Sequence, residues 1–151
     1  MDQTTPQSDS AIVIIGSGLA GYTVAREIRK LDKAAPITLI TREPGYFYSK
    51  PMLSTALASK KEAMQLVSTA ADGMTTQLEM TILSECNVSE INAGTQTIKT
   101  SKGDLPYGKL VMALGADQIR LPLQGSAANE VITVNDLEDY ARFRTAIEGK
   151  K

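Results

Sequence analysis

The residues of this sequence best suited to chemistry are three glycines. Gly16-Ser17-Gly18-Leu19-Ala20-Gly21 spells G-x-G-x-x-G between the apolar run Ala11-Ile12-Val13-Ile14-Ile15 and a segment of helical periodicity. In that setting the first glycine permits a tight turn, the second lets the backbone approach a pyrophosphate, and the third allows a helix to pack close on a strand. A helix that starts there presents free N–H groups and the positive end of its dipole to phosphates. Glu43 lies just past the next apolar segment, at roughly the 20-residue offset at which a carboxylate meets ribose hydroxyls in dinucleotide sites. The plain alternative is a turn made by glycines and a solvated acid. With strand, glycines, helix, strand and acid all in order, the sequence points to a dinucleotide, without distinguishing FAD from NAD.

The elements that must position these residues can be read from patterning. Residues 11–15 form a continuous β-branched run ended by glycine, as expected of a parallel strand buried on both faces. Ala20, Val24, Ile28 and Leu31 then make one apolar stripe on a helix that Pro36 cannot continue, and Ile37–Thr41 reads as the next strand. Together they form a βαβ unit in about 30 residues, with the right-handed crossover that such units almost always take. The stretch from Met52 to Ala71 reads as two short helices, with Pro51 preset for a first helical position and Gly73 separating them from the β-rich residues beyond. Short strands are expected at 80–83, 88–91, 96–100 and 109–114, broken at Asn92-Ala93-Gly94 and Lys102-Gly103-Asp104. A last helix is expected from Asp136 as N-cap, with Leu137, Tyr140, Ala141, the stem of Arg144 and Ile147 on one face. Residues 1–9 read as a disordered tail. The chain contains neither an internal repeat nor a low-complexity segment.

Composition excludes several function classes. With 151 residues, 42% hydrophobic and 22% charged, the chain suits one globular domain. Its 16 basic and 17 acidic residues leave a net charge of −1, without the electrostatic footprint of a nucleic-acid or anionic-membrane binder. The longest apolar run is too short to cross a bilayer and the first residues lack a signal-peptide pattern, so the expected location is the cytoplasm. There is no histidine, which removes Ser-His catalysis and the usual zinc sites. The single cysteine, Cys86, cannot form an intrachain disulfide or a CxxC pair, and it reads as a small core residue.

One segment does what the fingerprint cannot. Tyr46-Phe47-Tyr48-Ser49-Lys50-Pro51-Met52-Leu53-Ser54 resembles the stretch after the second strand in the ferredoxin- and rubredoxin-reductase branch of the FAD-dependent pyridine nucleotide reductases, and Tyr-Ser-Lys-Pro-Met-Leu-Ser is the form seen in rubredoxin reductases. The likeness continues through Leu110–Ala116, Arg120-Leu121-Pro122 and Asn135–Arg144, so it covers essentially the whole chain after the tail. It implies a three-layer, Rossmann-like FAD/NAD(P)-binding α/β fold with a central parallel sheet and a small antiparallel β-meander. The cofactor implied is FAD, and NADH is the implied reductant. Rubredoxin is the implied electron acceptor, in a chain that can feed alkane hydroxylation.

The same resemblance assigns roles. Lys50 would lie by the reactive edge of the flavin, where an ammonium favours negative charge on the reduced ring, with Pro51 beside it. Ser17, Gly18, Leu19 and Ala20 would line the pyrophosphate, with Gly16 and Gly21 shaping the turn. Arg42 and Glu43 would flank the adenosine ribose, and Val88 would touch the adenine through its backbone. Ala113 and Gly115 would make a second close approach. Related reductases often read Ala-Thr-Gly there, and Leu114 brings no hydroxyl to this one. The expected organisation is a tail at 1–9, an FAD-binding portion at 10–116, and a segment at 117–151 leading toward an NADH-binding domain that this sequence lacks. On that reading the fold is incomplete and the isolated chain lacks NADH:rubredoxin turnover. A flavin or adenine-nucleotide module completed by a partner chain, and a remnant that holds no cofactor, are the other readings. An NAD-dependent dehydrogenase is disfavoured, because Ser49-Lys50-Pro51 has no role in one.

Overall fold

The computed structural model describes residues 11–150, so the expected tail lies outside the described residues. In chain order the elements are β1 (Ile12–Ile15), α1 (Leu19–Leu31), β2 (Ile37–Ile40), β3 (Phe47–Tyr48), a 3₁₀ turn (Lys50–Met52) running into α2 (Leu53–Ala56), a second 3₁₀ turn (Ala63–Leu66), β4 (Val67–Thr69), α3 (Ala71–Leu78), β5 (Thr81–Leu83), β6 (Val88–Asn92), β7 (Thr97–Thr100), β8 (Gly103–Pro106), β9 (Lys109–Met112), a third 3₁₀ turn (Ala128–Glu130) and α4 (Leu137–Ile147). β3 and β4 pair in a two-stranded sheet. The chain divides into two units: residues up to Phe47 with Thr69–Gly115, and Tyr48–Ser68 with the residues from Ala116 onward. Residues 48–68, grouped by sequence reading with the first portion, thus cluster with the C-terminal segment.

The first unit is built on a four-stranded parallel sheet in the order β5-β2-β1-β9. Strand β1 alternates between two cores, as a run buried on both faces must. Ile14, with Ile12 beside it, packs against Tyr22, Ala25, Met74 and Leu78 of α1 and α3. Val13 and Ile15 pack on the other face with Ile40, Cys86, Ile98 and Tyr107, under the antiparallel meander β6-β7-β8. Helices, parallel sheet and meander are the three layers expected.

The buried face of α1 differs from the apolar stripe read in the sequence. Gly21, Tyr22, Ala25 and Arg29 point inward, whereas Ala20 is exposed and Leu31 is 89% exposed; Val24 and Ile28 pack at the margin. The reason is Arg29. Its Nε donates to Leu78 O (2.9 Å), Nη1 to Asp32 O (3.2 Å) and Lys33 O (2.7 Å), and Nη2 to Ala35 O (2.9 Å) and Glu79 O (2.9 Å). A planar fork of five donors here satisfies carbonyls that the ends of α1 and α3 leave open. Apolar counting cannot anticipate a charge that turns inward.

Three further differences have local causes. Gly73 does not separate elements. It lies in the first turn of α3, where a Cβ would stand 2.8 Å from Thr69 Cγ2. The second expected short helix is only a 3₁₀ turn, followed by β4. Lys102-Gly103-Asp104 is not all turn: Ser101-Lys102 suffice, and Gly103, at φ +112°, opens β8 opposite Thr100. Glycine and proline make Gly103–Pro106 read poorly as a strand, but β8 is an edge, where both are tolerated.

In the second unit α4 begins as expected, with the Asp136 carboxylate accepting from Asp139 N at 2.8 Å. Tyr140 is buried and its hydroxyl donates to Lys61 O at 2.8 Å, while Arg144 pairs with Glu62. Ala141, expected on the packed face, is exposed. Glu62 and Gln65 form a reciprocal capping box on the 3₁₀ turn between them.

Candidate functional site

Register sets the site. Ile15 stands level with Ile40 on one side and Met112 on the other, so the carboxyl ends of β1, β2 and β9 reach one edge of the sheet together. β1 passes to β2 on one side, and the later connection from β5 to β9 leads to the other. The loop after β1 therefore sits at the switch point of the strand order, where open α/β sheets bind ligands.

The three fingerprint glycines meet different surroundings. Gly16 has φ +115°, its N–H donates to Ile40 O at 2.8 Å, and a Cβ on it would lie 2.1 Å from Ala113 O. A Cβ on Gly21 would lie 1.9 Å from Gly16 O. Gly18 is different: its φ of −73° and ψ of −176° suit any residue, and among the described residues a Cβ there would meet nothing within 4 Å. Two glycines serve the fold, and the third, at the N-terminus of α1, has no described neighbour where a side chain would be. Among the described residues no side chain caps that helix, and no acid occupies its first turn, so its positive end can meet an anion. Leu19, 61% exposed, and Ala20 carry their side chains on the outside.

Ser17 is 6% exposed and its hydroxyl is 2.8 Å from Thr41 Oγ1, so only its backbone faces the turn's outer side. Thr41 Oγ1 also accepts from Glu43 N at 3.1 Å, and Glu43 O accepts from Glu85 N at 3.1 Å. Arg42 is exposed and Glu43 half-buried. Sequence reading passed over Thr41, which carried no motif signal. Ala113 N donates to Ile15 O at 2.8 Å, and Gly115 has φ +70° with no described neighbour within 4 Å of where its Cβ would be. The Val88 side chain packs on the meander core, with a bulge between Val88 and Glu90, which leaves its backbone as what it can present. Cys86 is 1% exposed within the same core. Among the described residues, no group of three acidic, cysteine or histidine side chains could hold a metal ion.

Lys50 and Pro51 belong to the second unit. There they line a cavity of about 480 Å³ together with Leu53, Val134, Tyr140 and Phe143. Lys50 is exposed and its ammonium is in no ion pair among the described residues. The cavity combines one cation with mostly apolar walls.

Residues 10–151 match the pyridine nucleotide-disulphide oxidoreductase family. The chain belongs to that family. Its members are FAD-dependent pyridine nucleotide oxidoreductases, enzymes by family. A rubredoxin-NAD(+) reductase of Alcanivorax borkumensis is 44% identical over 140 residues, covering 93% of this chain and 37% of that protein. One from Acinetobacter baylyi is 44% identical over 137 residues, covering 88% and 35%. The putidaredoxin reductase–putidaredoxin complex is structurally similar, with a TM-score of 0.72, 29% identity and coverage of 91% of this chain and 34% of that one. The chain thus spans little more than a third of the length of these family members. No helix among the described residues is long and apolar enough to cross a membrane.

Proposed function

We propose that this chain is the FAD-binding part of a rubredoxin reductase-like flavoprotein, which when complete carries electrons from NADH through FAD to rubredoxin in the cytoplasm. The observation that carries the reading is the open backbone at Gly18, at an uncapped helix N-terminus and a sheet switch point, in a chain 44% identical to rubredoxin-NAD(+) reductases. A cradle that a Cβ would fill, next to first-turn N–H groups that have no partner within their own helix, fits a pyrophosphate.

In this reading the backbone of Ser17, Gly18, Leu19 and Ala20 holds the pyrophosphate, with Gly16 and Gly21 fixing the turn. Arg42 and Glu43 hold the adenosine ribose, the Val88 backbone meets the adenine, and Ala113 with Gly115 gives a second close approach. Lys50 and Pro51 serve the flavin ring, Lys50 as a fixed positive charge where negative charge develops. Bound FAD supplies hydride acceptance and onward transfer of single electrons, chemistry that no side chain here can perform. Cys86, the chain's sole cysteine, is shut in the meander core, so these residues provide no dithiol for that transfer. An electron-carrier protein is the acceptor this favours. Coverage of about a third of the relatives supports a second reading for the 151 residues alone: a flavin-binding module whose turnover needs the remaining domains from a partner chain.

Titration of the full chain with FAD and, separately, with NAD⁺, monitored by fluorescence quenching, tests the proposal. Saturable binding of FAD without a response to NAD⁺ is expected. A chain that binds neither, or NAD⁺ alone, would sink it.

A further inference from the structure

We infer that Thr41 is a positioning residue that locks the fingerprint turn to the acidic loop after β2, so that both ends of the adenosine-diphosphate cradle move as one. The inference rests on the FAD-binding reading above and deepens it.

Thr41 is 5% exposed and every polar group it has is engaged. Its N–H donates to Leu83 O (3.0 Å) and its carbonyl accepts from Cys86 N (2.8 Å), which ties the end of β2 to the end of β5. Its hydroxyl is bonded to the Ser17 hydroxyl at 2.8 Å and accepts from Glu43 N at 3.1 Å. One oxygen therefore bridges two segments that the sequence holds 24 residues apart and the binding site needs together. On the far side, Glu85 N donates to Glu43 O at 3.1 Å and holds the loop from β5.

The two segments need such a link for different reasons. The turn at 16–18 is anchored through main-chain contacts at Gly16, and the Ser17 hydroxyl is its side-chain tether. Glu43 lies three positions after the last residue of β2, beyond the reach of the parallel ladder. A ligand gripping both the turn and the loop must order whatever is loose, and that ordering subtracts from its affinity. The buried hydroxyl chain from Ser17 through Thr41 to Glu43 N completes the ordering before a ligand arrives. A valine at 41 has nearly the same shape but breaks both bonds, whereas a serine keeps the oxygen.

The test uses the full chain with FAD, ADP and FMN, titrated well below the melting temperature of each variant. Thr41→Val is expected to weaken FAD and ADP by about tenfold, as ordering about one further residue on binding implies, and to weaken FMN, which reaches the turn but not the acidic loop, by clearly less. Thr41→Ser is expected to bind within about twofold of the original chain, and Ser17→Ala with Thr41→Val to be little weaker than Thr41→Val alone, since both break the same bond. A general structural role would lower the melting temperature without separating ADP from FMN and without rescue by serine. Thr41→Val binding FAD and ADP as the original chain does would overturn the inference, as would Thr41→Ser proving as weak as Thr41→Val. Binding of neither FAD nor ADP by the original chain would instead be the failure of the FAD reading. The link is then decided without ligand, by hydrogen exchange at the Glu43 amide: faster exchange in Ser17→Ala supports it, and no change overturns it.

Discussion

Replacing each fingerprint glycine in turn separates what the fold needs from what a ligand needs. Alanine at position 16 would have to hold φ near +115°, which costs on the order of 1–3 kcal/mol. Its Cβ would also stand 2.1 Å from Ala113 O, and relieving that overlap by moving β1 away from β9 costs roughly another 1–3 kcal/mol. Against a total stability of about 5–15 kcal/mol, that removes a large share, and the melting temperature should fall by roughly 5–20 °C. Alanine at 21 meets Gly16 O at 1.9 Å, a clash offset in part by about 1 kcal/mol of helix propensity. It should be destabilised less than Gly16→Ala. At position 18 an added Cβ meets no described atom within 4 Å and φ is unstrained, so the stability of Gly18→Val should lie within about 1 kcal/mol of the original chain.

The ligand sees the reverse. A side chain at 18 fills the space in which a pyrophosphate would meet the backbone, and losing one hydrogen bond to a charged group costs about 1.5–3 kcal/mol. FAD binding should weaken roughly ten- to hundredfold in Gly18→Val. Thermal melts of the three variants, set beside FAD titrations of those that fold, decide the matter. If Gly18→Val bound FAD normally, or melted as low as Gly16→Ala, this division of labour among the glycines would be wrong.

Arg29→Met should cost about 3–5 kcal/mol in denaturant unfolding, because five carbonyls, two in buried bonds and three in part-buried ones, lose their donor; a loss under about 1 kcal/mol would mean that water replaces the guanidinium. Burial pushes the Tyr22 phenol up to about 12, against a smaller opposing effect of the Arg26 guanidinium. The unfolded chain then loses this proton near pH 10 while the folded chain keeps it, so the contribution is intact below pH 10 and disappears as pH rises to 12, by about 2–3 kcal/mol. Tyr22→Phe, which also gives up the bond from the hydroxyl to Gly45 O, should flatten that alkaline slope, and an identical slope in both proteins would contradict the assignment. Lys50→Met should leave the melting temperature unchanged within about 2 °C, as expected for an exposed side chain without an ion pair. It should also lower the midpoint potential of bound FAD by roughly 20–40 mV, equivalent to about 1–2 kcal/mol, and a potential that does not move would remove Lys50 from the flavin's surroundings.

Legibility in the fold depends on the distance over which a cause acts. β1 was readable because a β-branched run ended by glycine carries its own reason, and so was the start of α4, where the amide that Asp136 caps is only three residues away. The inward face of α1 was not. Its key member, Arg29, is explained by Leu78 and Glu79, about fifty positions on, and a periodicity count scores it as a solvent-facing charge. β8 was hidden by its own composition, since a strand that begins with glycine and ends with proline is acceptable only at a sheet edge, and edges are a property of topology.

The site divides along the same line. A fingerprint is legible because turn, helix start and close packing are all set within six residues, and Gly16, Gly18 and Gly21 could be given separate tasks from spacing alone. The crowding of Gly16 against Ala113 O was not legible, because it arises where β9 comes to lie beside β1 after the whole meander has been traversed. Thr41 is the sharper case. Residue type and strand position mark it as ordinary strand filling, and only the register that sets Ile15 level with Ile40 brings its hydroxyl to Ser17. A motif search that stops at Glu43 names the acid and misses the residue that holds its amide. If adenosine affinity depends on that hydroxyl, chains with an intact fingerprint and acid but no side-chain oxygen at this position should bind FAD more weakly, although the motif would rank them as equals.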